Sequence, residues 1–103
     1  MLHKNKHPEA AQHIEDAQKE GHPSILTINR SGTIANRKAA LEGKKKVPDK
    51  QLDEYPPAMF KEGGKGASVR AISPKDNQGM GATIGNQLRK YPDGTKVKLT
   101  IIN

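Results

Sequence analysis

A single phenylalanine, two tyrosines and no tryptophan or cysteine leave this 103-residue chain little but aliphatic side chains from which to build an interior. Only 32% of its residues are apolar and its mean hydropathy is -0.86, so the core must be small and assembled from Ile, Leu, Val and Ala. The length fits one domain over residues 1–103, because compact domains most often run to about 100 to 150 residues. Lack of cysteine excludes disulfides, zinc–thiolate centres and thiol nucleophiles together, and any metal must sit on oxygen or imidazole. The 18 Lys and Arg against 11 Asp and Glu give a formal charge of +7, which points to a polyanionic partner, nucleic acid before an anionic membrane. Met1-Leu2-His3-Lys4-Asn5-Lys6 contains no apolar run of the length that a signal peptide or membrane span needs. A soluble, monomeric chain is expected, and its abrupt start near the first helix is what the C-terminal part of a longer protein would show.

Pro8 suits a first helical position, Ala11, Ile14 and Ala17 fall on one stripe and Gly21 ends the run, which predicts an amphipathic helix over 8–20. Ser24-Ile25-Leu26-Thr27-Ile28, between Pro23 and the turn-like Asn29-Arg30-Ser31-Gly32, predicts a core strand. Residues 33–42 predict a short second helix, and Lys44 to Lys50 an exposed loop. A strand opens at Leu52, but Pro56-Pro57 forbids continued central pairing. After the flexible Glu62-Gly63-Gly64-Lys65-Gly66, residues 67–72 predict a second strand. Ser73-Pro74-Lys75-Asp76-Asn77 can cap and begin a helix running roughly from Gly79 or Gly81 to Lys90. Tyr91-Pro92-Asp93-Gly94 turns the chain, and Val97 to Ile102 predict a final strand. The order α-β-α-β-β-α-β is that of an α+β domain with a mixed or antiparallel sheet and flanking helices.

Asp53, Glu54, Glu62 and Asp76, four of the 11 acidic residues, share one stretch of a strongly basic chain. Carboxylates facing a polyanion repel it unless a cation intervenes, so one reading is a divalent-metal site with oxygen ligands suited to Mg2+ or Mn2+. The other is surface acids paired with Lys61, Lys65 and Arg70. Linear order favours the first: a strand with an acid–base residue, a second strand and a helix opening with an oxygen ligand is the plan of the ββα-metal nucleases, and residues 53–86 follow it. Phosphodiester hydrolysis needs a base to activate water, a cation to take up charge and basic groups to hold the backbone. Asp53, Asn77 and the Lys/Arg set match those needs in turn.

Four blocks in one order carry a more specific likeness: Asp53-Glu54-Tyr55-Pro56-Pro57-Ala58-Met59-Phe60, Glu62-Gly63-Gly64-Lys65-Gly66-Ala67-Ser68-Val69-Arg70, Asp76-Asn77-Gln78-Gly79 and Gly85-Asn86-Gln87-Leu88. With Leu26-Thr27-Ile28, Asn36-Arg37-Lys38 and Tyr91-Pro92-Asp93-Gly94-Thr95 beside them, the chain resembles the NucA/NucB family of bacterial deoxyribonucleases over nearly its whole length. The resemblance implies a metal-dependent endonuclease on a ββα-metal core, in which Asp53 replaces the histidine base of most such nucleases and Asn77 is a metal ligand. It also implies a secreted enzyme or a toxin domain delivered into a target cell; the toxin would be neutralised by an acidic immunity protein. An aspartate, ordinarily titrating near about 3.9, is a weaker base than histidine near about 6.5. Either a neighbouring carboxylate and burial raise it, or it chiefly orients water.

Side chains alternate along a strand, so if Leu52 faces the core, Asp53 and Tyr55 face outward and Glu54 inward, as partner to a buried Arg or a backbone amide. Glu62 is either a metal ligand or a turn residue; Asn86 is a second metal ligand, a support behind the ligands, or surface. Lys61, Lys65 and Arg70 are expected to grip DNA phosphate around the site, with Lys44, Lys45, Lys46, Arg89 and Lys90 flanking it, independently of sequence. His3, His7, His13 and His22 all precede the motif and read as solvated surface residues. The rival functions are a ribonuclease on the same scaffold and a catalytically silent DNA-binding module.

Overall fold

The computed structural model describes residues 2–103. Its elements are β1 (Leu2–His3), α1 (Pro8–Lys19), β2 (Ile25–Thr27), a 3-10 turn (Arg30–Gly32), α2 (Thr33–Leu41), β3 (Gln51–Tyr55), β4 (Ser68–Ile72), α3 (Pro74–Leu88), β5 (Lys96–Lys98) and β6 (Ile101–Ile102). The α+β class holds, with consecutive β3, β4 and α3 forming a ββα unit. The strands form three two-stranded pairs: antiparallel β3–β4 and β2–β5, and parallel β1–β6.

Two boundaries differ from the sequence expectation. The final strand is split, because buried Leu99 donates its N–H to Ser24 O (2.9 Å) beyond β5 and the chain then crosses to pair with Leu2, which is buried too. β1 itself is too short for any periodicity to reveal. α3 starts at Pro74, not at Gly79 or Gly81, and ends at Leu88, short of Lys90. Proline is preorganised for a first turn, and the Asn77 N–H closes that turn onto Ser73 O at 2.9 Å. Gly79 is carried inside the helix because a Cβ there would lie 2.5 Å from the His7 ring. At the other end, the Arg30 guanidinium takes Leu88 O and Tyr91 O (both 2.7 Å), terminating the helix.

α1 and α3 cap one another. Asp76 of α3, buried, accepts the Ala10 N–H in the first turn of α1 (2.7 Å), and Glu9 of α1 accepts the Ser73 N–H at the start of α3 (3.3 Å). Each carboxylate satisfies a donor that the partner helix leaves unpaired. The core between the helices and the β3–β4 ribbon is aliphatic except at Tyr55 and Phe60, both fully buried. The Tyr55 hydroxyl donates to Pro23 O (2.7 Å) and accepts from Gln18 Nε2 (2.9 Å). Tyr55→Phe leaves both partners short of a bond and should cost about 1 to 2 kcal/mol, read as a lower urea midpoint at unchanged slope.

Candidate functional site

Antiparallel register sets Asp53 opposite Arg70 and Tyr55 opposite Ser68. All four lie on the face covered by α1. His13 bonds Asp53 and Ser68, Asp16 accepts from Arg70 Nη1 (2.9 Å) and Gln18 bonds Tyr55. The expected facing of β3 is therefore reversed: Tyr55 is interior, Asp53 is held against α1, and Glu54 turns to the other face, towards α2. The partner foreseen for Glu54, a buried arginine, is instead Arg37, 59% exposed. Alternation was read correctly, but both faces of this ribbon are covered by helices, so burial alone does not tell them apart.

Between α2, β3 and α3 lies an open cleft of about 350 Å³, bordered by Arg37, Leu41, Leu52, Glu54, Asn77 and Gly81. A smaller recess of about 70 Å³ brings Asp53, Glu54 and Asn77 together against Met80 and Ile84. The Glu54 side chain is 11% exposed; its Oε2 stands 4.0 Å from Arg37 Nε, while Oε1 is buried with no hydrogen-bond partner among the described residues. Burial raises the Glu54 carboxyl above the usual glutamate range, Arg37 opposing and Asp53 reinforcing the shift. Asn77 Nδ2 donates to Gln51 Oε1 at 3.0 Å, which fixes the amide and identifies Oδ1 as its free acceptor end. Among the described residues no group of three or more His, Asp or Glu is placed to hold a metal ion by itself; the donor set here is two carboxylates and an amide.

Asp53 is 20% exposed and its Oδ2 lies 2.7 Å from His13 Nδ1, while His13 Nε2 lies 2.9 Å from Ser68 Oγ. His13 is 0% exposed, which corrects the reading of all four histidines as solvated. His3 is exposed, and His7 and His22 are partly buried, His7 bonding Thr83 Oγ1 at 3.3 Å. The sequence did carry a signal for His13: it stands three residues after Ala10 and four before Ala17, on the apolar stripe of α1. Arg37, which borders the cleft, lies in the Asn36-Arg37-Lys38 block of the resemblance, whereas Gln51 carried no mark.

The remaining candidates lie elsewhere. Glu62 does not join the recess: its carboxylate accepts the Thr27 N–H (2.7 Å) and hydroxyl (2.9 Å). Burial pushes the Glu62 carboxyl up, but the Thr27 bonds, its own backbone N–H and Lys61 together hold the group below the usual range. A depressed carboxyl contributes stability above its unfolded value, near about 4.3, and loses it as pH falls through the lower folded value. Glu62→Gln should therefore melt below wild type at pH 7, with the gap closing on acidification. Asn86 sits on the exposed side of α3, its amide oxygen taken by Arg89 (2.6 Å). Arg70 is tied to Asp16, whose carboxyl Gln12 and Arg70 hold below its usual value. Lys61 neighbours Glu62 and Lys96, and Lys65 and Lys44 flank a groove between α2 and the start of β4. Lys45, Lys46, Arg89 and Lys90 are exposed. The turn that presents Lys65 depends on Gly64, whose φ of 97° is a left-handed conformation and whose missing Cβ makes room for Asn36.

The chain thus carries a ββα unit with an acidic pair on β3 and an amide in the first turn of α3. The chain is 51% identical over 100 residues to the DNA-entry nuclease of Bacillus subtilis (strain 168), covering 94% of this chain and 66% of that relative, just under two thirds of its length. Residues 4–100 match the model of the family described as Deoxyribonuclease NucA/NucB. The chain therefore belongs to the NucA/NucB family of deoxyribonucleases.

Proposed function

We propose that this chain is a metal-dependent endonuclease that hydrolyses DNA phosphodiester bonds without sequence preference, acting as one monomeric domain over residues 1–103. The observation that carries the reading is the recess where Asp53, Glu54 and Asn77 meet, with a buried Glu54 oxygen that has no hydrogen-bond partner among the described residues. Hard oxygen donors of this kind suit Mg2+ or Mn2+, which Glu54 and Asn77 would hold and Asp53 adjoin. The bound cation supplies stabilisation of negative charge on the phosphate and the departing oxygen. Asp53 orients the attacking water and accepts its proton as the water oxygen bonds phosphorus and the bond to the departing sugar oxygen breaks; that oxygen takes up a proton. Arg37 projects over the cleft beside Glu54 and is placed to hold a phosphate in two-pronged fashion. Lys44, Lys45, Lys46, Lys61 and Lys65 extend the positive surface for the flanking backbone, with Arg89 and Lys90 more distant. Glu62 and Asn86 support the fold in this account and stay outside the chemistry.

A formal charge of +7 also suits the same face to an acidic inhibitor protein, as a toxin domain would require. Among the described residues no helix is long and apolar enough to cross a membrane. The reading is tested by incubating the purified chain with supercoiled plasmid and, separately, with structured RNA, each with Mg2+, with Mn2+ and with chelator. Plasmid cleavage that requires metal supports it. RNA cleavage alone would make the chain a ribonuclease, and salt-sensitive DNA binding without cleavage under any metal would make it a silent binding module.

A further inference from the structure

Behind the cleft, His13 occupies a place on α1 where the neighbouring stripe is Ala10, Ala11, Ile14 and Ala17. A buried imidazole is costly unless its nitrogens are paired, and an aliphatic residue would extend the stripe at lower cost. Both nitrogens are paired, to carboxylate on β3 and to hydroxyl on β4. With the Asp53 carboxylate accepting, the bond to Oδ2 is made from a proton on Nδ1, and Nε2 pairs with the Ser68 hydroxyl. The chain Ser68, His13, Asp53 thus spans three elements and ties down Oδ2 of Asp53, a residue that also borders the recess shared with Glu54 and Asn77. His13 has no exposed surface, so it cannot touch a substrate as the histidine of a hydrolytic triad does.

We propose that His13, backed by Ser68, is a positioning residue that fixes the direction of the Asp53 carboxylate. The proposal rests on the nuclease reading, in which Asp53 takes the proton from water. A carboxylate free to rotate would spend much of its time misdirected, and a misplacement of about 1 Å can cost on the order of 100-fold in rate.

Two amides separate the two bonds. An asparagine at position 13 places its N–H2 near the Nδ1 position and keeps the donor to Asp53; a glutamine reaches the Nε2 position and keeps only Ser68. Initial rates on plasmid with Mg2+, corrected for folded fraction by circular dichroism, should show kcat for His13→Gln lowered by about 10- to 100-fold with KM little changed. His13→Asn should recover most of that loss. Equal kcat in the two variants, both high or both low, overturns the proposal. Should either variant not fold, a long-range 1H–15N spectrum of histidine-labelled wild type decides: a proton on Nδ1 of His13 is expected, and a bare Nδ1 overturns the proposal. A wild type that cuts no DNA with any metal removes the nuclease reading and the positioning role together, whereas an active enzyme indifferent to the Gln/Asn choice removes the positioning role alone.

Discussion

Glu54→Gln is expected to lose DNA cleavage by about 100-fold or more while melting at a higher temperature than wild type. The two effects share one cause. The Glu54 carboxylate is nearly enclosed, one oxygen is buried without a partner among the described residues, and Arg37 stands 4.0 Å from the other. Such a group is held for function at the expense of stability. Its carboxyl is raised by burial, so the folded state favours the protonated form. The associated stabilisation is complete below the ordinary glutamate value, about 4.3, and is lost as pH rises through the higher folded value. Near pH 7 the charge is therefore a net cost, and an uncharged amide of the same shape relieves it. A gain of about 1 kcal/mol, or about 4 °C for a domain of this size, is expected in chelator at pH 7. Below the ordinary glutamate value that advantage should vanish. Melting curves across pH and a plasmid assay on the same samples check both halves; an active variant, or one that melts lower at pH 7, would contradict the assignment.

Phe60→Ala should be the most damaging core substitution, at about 3 to 5 kcal/mol against the total of about 5 to 15 kcal/mol typical of native domains. Phe60 is the sole phenylalanine and is fully buried. Its surroundings explain why the loss reaches the cleft: Phe60 bridges Ile28, the Asn36 amide donates to Ala58 O (3.1 Å) and Phe60 O (3.0 Å), and Asn29 and Lys61 tie the same turn to the strand end. Pro57 and Ala58, which border the cleft, hang on that turn. Phe60→Leu keeps most of the volume and should cost about 1.5 kcal/mol or less. Urea unfolding of the two variants separates them, and a loss under about 1 kcal/mol for Phe60→Ala would mean that the site relaxes into the vacated space.

The local patterns were legible wherever one face met water. The stripe of α1 and the β-branched run of β2 emerge close to the expected positions, as do the interruption at Pro56 and the two strands leading into α3. Asp53 and Asn77, far apart in the chain, do border one recess. What could not be read is tertiary in origin. With α1 on one face of β3 and α2 on the other, alternation separates Asp53 from Glu54 without saying which looks into the cleft. Asp76 belonged to the acidic group that suggested a metal, yet it caps a helix 66 residues away in sequence. Glu62 likewise serves Thr27. Acid residues announce themselves in a basic chain, but only packing decides which of them are used up by backbone donors. His13 precedes the motif in the chain with no ligand-bearing neighbour in sequence; its two partners lie on β3 and β4 and draw it inside.

The most direct test of the central claim compares wild type with Asp53→Ala, shown to be folded, on supercoiled plasmid with Mg2+ or Mn2+ and again after chelation. Degradation by wild type only with metal, and none by the variant, is the predicted result. An Asp53→Ala protein that still cuts as wild type does, or wild-type cutting that survives chelation, would contradict the account.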